Sequence, residues 1–196
     1  MKKSTVIITI LVVLVGIVFF WYTGVYNKLV SMEETVTAQW GNVENQYQRR
    51  SDLIPNLVST VKGYANHEQA TLQGVVEARA KATSVSIDPT NMTEESMAQF
   101  QAAQGQVSSS LSRLLVSIEA YPDLKANQNF MDLQAQLEQT ENRISVQRQR
   151  FNDVAQEYNA LVRKFPNNMI ANMSGFNTKP YFKSDAGAER APEVQF

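Results

Sequence analysis

The sequence contains no cysteine and only one histidine, and these two shortages remove several kinds of chemistry. Without cysteine the chain can form no disulfide, carry no catalytic thiolate and bind no cysteine-ligated zinc or iron–sulfur centre. The single histidine, His67, lies beside Glu68, but a zinc site built on it would lack a second histidine. We therefore expect a solvated or capping His67, and we predict no metal and no cofactor.

Motifs of catalytic and nucleotide-binding sites are also missing. The sequence has no GxSxG word, no Walker-type glycine loop and no GxGxxG word. The pairs Glu33/Glu34 and Glu94/Glu95 are adjacent in sequence, so their carboxylates point in different directions on a helix. Such pairs are typical of a solvated surface, not of a glycosidase-like dyad. The sequence thus predicts a protein that is not an enzyme.

An excess of charge and helix-breaking residues are both absent. The chain has 18 Lys and Arg against 19 Asp and Glu, so no positive excess indicates nucleic acid as a partner. Glycine and proline are few, with 8 and 6 residues. This composition favours long helices over short strands and predicts an all-α fold.

The strongest pattern that is present is an apolar run over residues 5–25, TVIITILVVLVGIVFFWYTGV, which contains no charged residue. As a helix it would span roughly 31 Å, close to the thickness of the hydrocarbon core of a bilayer. A cleaved signal peptide is the alternative, but the run is too long for a typical signal core and no small-x-small cleavage site is present. We predict that residues 1–25 form a transmembrane anchor, with residues 5–25 in the lipid bilayer.

Amphipathic side chains cluster at the C-terminal end of this run. Trp21, Tyr22 and Tyr26 carry rings that favour the headgroup boundary, and Lys28 adds a positive charge just beyond them. These four residues are therefore predicted to mark the membrane interface on the side of the remaining chain.

The charges on either side of the apolar run predict its orientation. Lys2 and Lys3 precede the run, whereas Lys28 behind it is followed by Glu33 and Glu34. Because positive charge is retained on the cytoplasmic side, the N-terminus is predicted to lie in the cytoplasm and the rest of the single-pass protein outside.

Apolar residues recur at helical spacing beyond the anchor, and Pro55 interrupts the first such stretch. A proline inside a helix removes a hydrogen bond but is favoured in a first turn, where Ser51 or Asp52 could act as the N-cap. We predict a break at residues 51–54 and a second helix from there to Thr83. One long kinked helix is the alternative, because the apolar register continues through the proline. That register is formed by Leu29, Val36, Trp40, Val43, Tyr47, Ile54, Leu57, Val61 and Tyr64, and between Tyr47 and Ile54 it predicts an inward position for Arg50.

Two further helices are predicted in the second half of the chain. Thr93 and the acidic residues after it have the pattern of a capping box at a helix start. The last helix, residues 130–165, has an unbroken three-four apolar repeat and stops at Pro166. Short connections favour antiparallel neighbours, so we predict an elongated up-down four-helix bundle over residues 26–166 and a C-terminal tail over residues 167–196.

A charged word surrounds the predicted break at Pro55. Arg49, Arg50 and Asp52 lead into Pro55 and Asn56. One interpretation is structural, with charges that cap helices and pair at an interhelix turn. The other is a docking point for a protein partner at the membrane-distal tip of the first hairpin, roughly 35–40 Å from the bilayer.

Several words of the sequence resemble the LemA family of bacterial membrane proteins. They are YNKLV (residues 26–30), RRSDLIPNLV (residues 49–58), VKGYANHE (residues 61–68), EYNALVRKFP, GFNTKPYF and APEVQF. The resemblance implies a transmembrane helix, a four-helix bundle, a chain break at Pro55 and no enzymatic activity. Relatives resemble accessories to membrane proteostasis or, in a magnetosome-associated branch, to the formation of a membrane organelle. The family is often described with its short N-terminus outside, opposite to the prediction from charge.

The sequence therefore predicts a membrane-anchored helical scaffold or adaptor in the bacterial cytoplasmic membrane that presents its bundle to a protein partner. The alternative is a self-assembling protein that organises the membrane as a homo-oligomer, with Gly16 and the apolar seams as association surfaces.

Overall fold

A computed structural model describes residues 3–64 and 68–183 of the chain. Every regular element in these two ranges is a helix, in agreement with the predicted all-α fold. The helices are α1 (Lys3–Lys62), α2 (Gln69–Ser84), α3 (Glu94–Ile118), α4 (Pro122–Lys125), α5 (Gln128–Arg163) and α6 (Asn167–Ser174). His67 and the APEVQF word lie outside the described residues.

α1 is one helix that contains both the apolar run and the first part of the helical domain. Its 60 residues extend over roughly 90 Å. Pro55 lies inside it, so the predicted break at residues 51–54 is wrong, as is the break implied by the family resemblance. The connection to the next helix lies instead between Lys62 and Gln69. The structure shows the alternative of one long helix.

α1 accommodates Pro55 because another helix replaces the hydrogen bond that the proline removes. In a regular helix residue 55 would donate its N–H to the carbonyl of Ser51, and proline has no N–H. The Nε–H of Arg79 on α2 donates to this carbonyl instead, at 2.8 Å. Because a buried carbonyl without a donor is costly, this contact offsets part of the destabilisation by the proline.

Side chains define the starts of the helices in the second half of the chain. The Thr93 hydroxyl accepts from the N–H of Ser96, and the Ser96 hydroxyl accepts from the N–H of Thr93, so the predicted capping box is confirmed. Asn127 caps α5 by accepting from the N–H of Phe130. Pro122 is the first residue of the short α4.

The long helices pack chiefly as two antiparallel pairs, α1 with α5 and α2 with α3. In the first pair Trp40 contacts Phe151, with ring centroids 5.5 Å apart, and Arg50 lies opposite Glu141. One apolar cluster, the distal core, takes residues from all four long helices. It includes Ile54, Leu57, Val61, Leu72, Val75, Val107, Leu111, Leu114, Phe130 and Leu137.

A second apolar cluster, the proximal core, lies nearer the apolar run and uses the C-terminal segment. After α5 the chain forms α6 and leaves it at Gly175, whose φ of +79° suits glycine. Residues 176–183 then extend back along α5, and the Phe182 ring stacks on Trp40 at 5.9 Å. The described part of the predicted tail therefore completes this core. Its members include Leu29, Val36, Trp40, Val43, Phe100, Phe151, Tyr158, Ile170, Phe176 and Phe182.

Candidate functional site

The apolar run forms the exposed first third of α1. Its large apolar side chains are exposed up to Tyr22, with Val12 66% and Phe20 76% exposed, and at its end Val25 packs against the proximal core. Of the described helices, α1 alone is long and apolar enough to cross a membrane. The predicted anchor is therefore a helix whose apolar side chains, apart from Val25, are not covered by the domain.

The predicted membrane-interface residues form a collar where the run meets the domain. Tyr22 and Tyr26 stack with centroids 6.2 Å apart, and Trp21 and Lys28 are exposed beside them. Tyr26 also contacts Phe176 of the C-terminal segment edge to face, at 5.6 Å. The collar is thus joined to the proximal core.

Arg50 is not at a turn, but it does face inward, as its place in the apolar register predicts. It lies at the centre of the domain and is 2% exposed. One guanidinium nitrogen donates to Glu141 at 2.7 Å and to Ser108 at 2.8 Å. The other donates to the side-chain and backbone oxygens of Gln104 at 2.6 and 3.2 Å. The guanidinium also lies over the Tyr47 ring, 5.1 Å from its centroid. One side chain of α1 therefore links α3 to α5.

The other residues of the charged word lie on the exposed side of α1. Arg49, Asp52, Pro55 and Asn56 are all exposed, and Asp52 accepts from Gln48 one turn earlier at 2.7 Å. Because α1 continues to Lys62, the expected position at the tip of the first hairpin is wrong. Arg49, Asp52 and Asn56 follow the three-four spacing of one helix face, so they form a polar stripe on the side of the domain.

A polar groove of about 940 Å³ lies beside Arg50 and between α2, α3 and α5. Its walls combine amide, hydroxyl and charged side chains with small residues. They include Gly74, Glu77, Lys81, Gln101, Gly105, Ser109, Arg113 and Glu141. Among the described residues, no group of three His, Asp or Glu side chains is arranged to hold a metal. The groove offers hydrogen-bonding groups along its length.

A buried lysine in the C-terminal segment forms a site that sequence reasoning missed. Lys179 is 4% exposed, and its ammonium group contacts Glu33 on α1 at 2.7 Å. The same ammonium donates to the carbonyls of Thr90 and Pro89 at 2.9 and 3.3 Å, in the loop between α2 and α3. It also lies over the Tyr158 ring at 5.8 Å. A lysine in a Gly- and Pro-containing tail resembles a solvated one, so only the GFNTKPYF word could have drawn attention to it.

Two asparagines on α5 hold the extended segment by pairing with its backbone. Asn159 donates to the carbonyl of Lys179 at 2.8 Å and accepts from its N–H at 2.7 Å. Asn152 pairs in the same way with Phe182, at 3.0 and 2.8 Å. Asn152 and Asn159 are seven residues apart on α5, and their partners Phe182 and Lys179 are three residues apart in the extended segment. Seven helical residues and three extended residues each span about 10 Å, so both pairs form together. This asparagine ladder docks the tail in one register.

Two groups near Lys179 have shifted pKa values. Burial raises the pKa of Tyr158 above its ordinary value, and the negative charge of Glu33 raises it further. Hydrogen bonds from the hydroxyl and N–H of Thr90 lower the pKa of Asp88. Tyr158 therefore remains neutral and Asp88 charged at neutral pH, as a packed core and a loop-capping carboxylate require.

Comparison with protein families gives these features a context. The model of the LemA family matches residues 39–196, which is most of the chain. The chain belongs to the LemA family. The family match includes Arg50, Glu141, Asn159 and Lys179, whereas the apolar run lies before it. The resemblance inferred from short sequence words is thus confirmed.

Curated relatives of this LemA-family chain share about a quarter of its residues. Protein LemA from Metamycoplasma hominis is 24% identical over 157 residues, covering 80% of this chain and 68% of the relative. Magnetosome protein MamQ 2 from Paramagnetospirillum magneticum is 26% identical over 175 residues, covering 81% and 64%. MamQ from Magnetospirillum gryphiswaldense is 26% identical over 174 residues, covering 80% and 64%. The chain spans about two thirds of the length of these relatives, and none of the three names denotes an enzyme.

Proposed function

We propose that this LemA-family chain is a non-enzymatic, single-pass membrane scaffold or adaptor that presents a helical domain to a protein partner. Residues 5–25 cross the bilayer, and α1 from residue 26 onward forms an elongated four-helix bundle with α2, α3 and α5. The observation that carries the proposal is the continuity of α1 from the exposed apolar run into both cores of the domain. Magnetosome proteins among the relatives support a role at a membrane.

The continuous helix would hold the domain at a fixed height. From Val25 to Lys62, α1 rises by roughly 55 Å. A flexible linker would leave the domain free to move at the membrane, whereas a helix whose next turns are buried in the proximal core restricts its position. A rigid stem of this kind suits a protein that carries a binding surface to a set distance from the bilayer.

The partner surface that we propose is the polar stripe of Arg49, Asp52 and Asn56 on α1. All three side chains are exposed, and the buried residues next to them keep the stripe facing outward. Arg50 and Ser51 lie on the inward side of the same turns, so the helix cannot rotate without breaking the Arg50 contacts. The stripe is therefore a rigid pattern of one positive charge, one negative charge and one amide.

In-cell photocrosslinking tests the adaptor proposal. A photoreactive amino acid at Asn56 is expected to crosslink a second protein in intact cells, and the same probe at the exposed Glu138 on α5 serves as the control. A crosslinked partner specific to the Asn56 probe supports an adaptor. Equal labelling from both positions, or none, would contradict the proposed surface.

The same chain can also be proposed as a homo-oligomer that organises a membrane, and a feature of the apolar run favours this second candidate. Gly16 leaves open space on the apolar run, where another helix could approach closely. A crosslink between two copies of the chain, together with a stable oligomer in detergent, would support it over the adaptor.

The proposed location is the bacterial cytoplasmic membrane, with the N-terminus in the cytoplasm and the bundle outside. Because the chain has no cysteine, single cysteines at Ser4 and Asp52 can report topology by their reaction with a membrane-impermeant maleimide. In cells whose outer envelope is permeabilised but whose cytoplasmic membrane is intact, Asp52→Cys should react and Ser4→Cys should not. The reverse pattern would invert the orientation, and the family description would then hold.

A further inference from the structure

α6 and Phe165, two residues before its start, expose large apolar side chains that the two cores do not use. Phe165 is 81% exposed, Met169 57% and Met173 81%. Met169 and Met173 are one turn apart on one face of α6, whereas Ile170 and Ala171 are buried on the opposite face. Because that opposite face is packed in the proximal core, the exposed methionines cannot turn inward unless α6 detaches.

The register of α1 and α5 places this surface at the level of the collar. Arg50 lies opposite Glu141 and Trp40 against Phe151, and the same register carried to the end of α5 sets Arg163 opposite Lys28. α6 follows directly and contacts α1. The next residue after the glycine turn, Phe176, contacts Tyr26 of the collar at 5.6 Å. Phe165, Met169 and Met173 therefore lie beside the end of the apolar run.

Exposed basic side chains border the surface. Arg163 and Lys164 are exposed directly before Phe165, and Lys28 is exposed on the neighbouring turn of α1. Basic side chains bordering apolar ones are the composition that favours the anionic headgroup region of a bilayer.

We propose that Phe165, Met169 and Met173 insert into the headgroup boundary of the bilayer, so that α6 is a second membrane contact of the protein. The inference rests on the proposed crossing of the bilayer by residues 5–25. Three side chains are too few for a stable protein interface, which buries about 800 Å² on each partner. The bilayer surface, by contrast, lies at this level, because the adjoining residues 5–25 cross the bilayer in the proposed arrangement.

A second contact would fix the angle of the domain as well as its height. A single transmembrane helix can tilt, and tilt is set by interfacial anchors and packing. α6 lies beside α1 and is joined to α5 by Pro166, so insertion of its methionines would hold the bundle against rotation about the anchor. The domain would then present the same side to the membrane in every copy.

Site-directed fluorescence on the full chain tests the proposal. Single cysteines at Met173, Met131 and Val12 carry a polarity-sensitive dye, and the protein is reconstituted in vesicles of phosphatidylcholine and phosphatidylglycerol. Met131 is the control, because it is an exposed methionine at the far end of α5. It is 42% exposed in the protein against 81% for Met173, so weaker quenching at Met173 cannot come from covering by the protein itself. Iodide quenching from water is expected to be several-fold weaker at Met173 than at Met131, and a shallow nitroxide lipid should quench the dye at Met173.

The Val12 position separates the two proposals. Quenching of Val12 by a deep nitroxide lipid, together with water exposure of Met173 equal to that of Met131, would overturn the α6 contact and leave the anchor intact. Water exposure at Val12 would overturn the anchor and the α6 contact with it. Protection of Met173 that persists in detergent and rises with protein concentration would show a second copy on this surface, against the lipid contact.

Discussion

The Nε–H of Arg79 donates to the carbonyl of Ser51, the one oxygen in α1 that Pro55 leaves without its helical donor. The two residues are on different helices. The carbonyl that the proline leaves without a donor therefore binds α2 to α1. It explains how a proline lies in the interior of a 60-residue helix.

The first prediction is that the Arg79 contact stabilises the protein only when residue 55 is proline. Arg79→Met keeps the apolar part of the side chain but removes the donor, and should lower the free energy of unfolding by about 1–2 kcal/mol. In a Pro55→Ala background the alanine N–H can serve the Ser51 carbonyl, so the same Arg79→Met change should cost clearly less. A double-mutant cycle of detergent-solubilised full chain, followed by circular dichroism during denaturation, measures the coupling. Additive effects would show that Arg79 acts elsewhere.

The second prediction concerns the buried guanidinium of Arg50. Arg50→Ala removes the link between α3 and α5 and leaves Gln104 and Ser108 without their partner, so unfolding should become easier by about 3 kcal/mol. Arg50→Lys keeps a charge but loses the fork that reaches both helices, and should still destabilise. Arg49→Ala is the matched control. Arg49 is the exposed neighbour of Arg50, so its replacement should change the free energy of unfolding by less than about 0.5 kcal/mol. Similar melting of the two alanine variants would refute the central role of Arg50.

The third prediction is that the asparagine ladder controls docking of the tail. Asn159→Ala removes both hydrogen bonds to the backbone of Lys179, whereas Gln156→Ala on the exposed side of α5 removes none of the ladder. With Trp21 replaced by phenylalanine, Trp40 is the remaining tryptophan and reports directly on the contact with Phe182. Its emission should shift to longer wavelength in Asn159→Ala and stay unchanged in the control. An unshifted emission in both would mean that packing of Phe182 suffices without the ladder.

The fourth prediction is a loss of stability in alkali through Tyr158. Burial and the charge of Glu33 raise the pKa of its hydroxyl in the folded protein, while in the unfolded chain the hydroxyl ionises near pH 10. The resulting stabilisation is fully present below pH 10 and is lost as pH rises from there towards the folded pKa, because only the unfolded state releases the proton. The melting temperature should therefore fall less steeply above pH 10 in Tyr158→Phe than in the original chain. Parallel pH profiles would argue against this contribution.

Much of the architecture could be read from local sequence patterns. The apolar run, the absence of strands in the described ranges and the capping box at Thr93 all follow from composition and from residues within one turn of each other. The prediction of membrane-interface residues is local in the same way, since Trp21, Tyr22 and Tyr26 are close in sequence, and Tyr22 and Tyr26 also stack in α1. Their role at a bilayer stays a prediction that the proposed experiments address.

The errors came from contacts between distant parts of the chain. Only the hydrogen bonds within one helix can be judged from the local sequence, so Pro55 predicted a break. The donor to the Ser51 carbonyl is Arg79, which is 28 residues away. The predicted turn at Arg50 is wrong for the same reason, whereas its inward position follows from the apolar register. Its partners Gln104 and Glu141 lie on two other helices.

The sequence by itself determined that this chain is helical, that its first helix begins with an uninterrupted apolar stretch, and that it belongs to the family whose short sequence motifs it shares. The tertiary structure decided that α1 continues through Pro55, which partners surround Arg50, that Lys179 is buried, and that the tail completes a core. The reason is physical: periodicity and capping depend on neighbours along the chain, whereas the free energy of a buried polar group depends on which partners folding brings within hydrogen-bond distance.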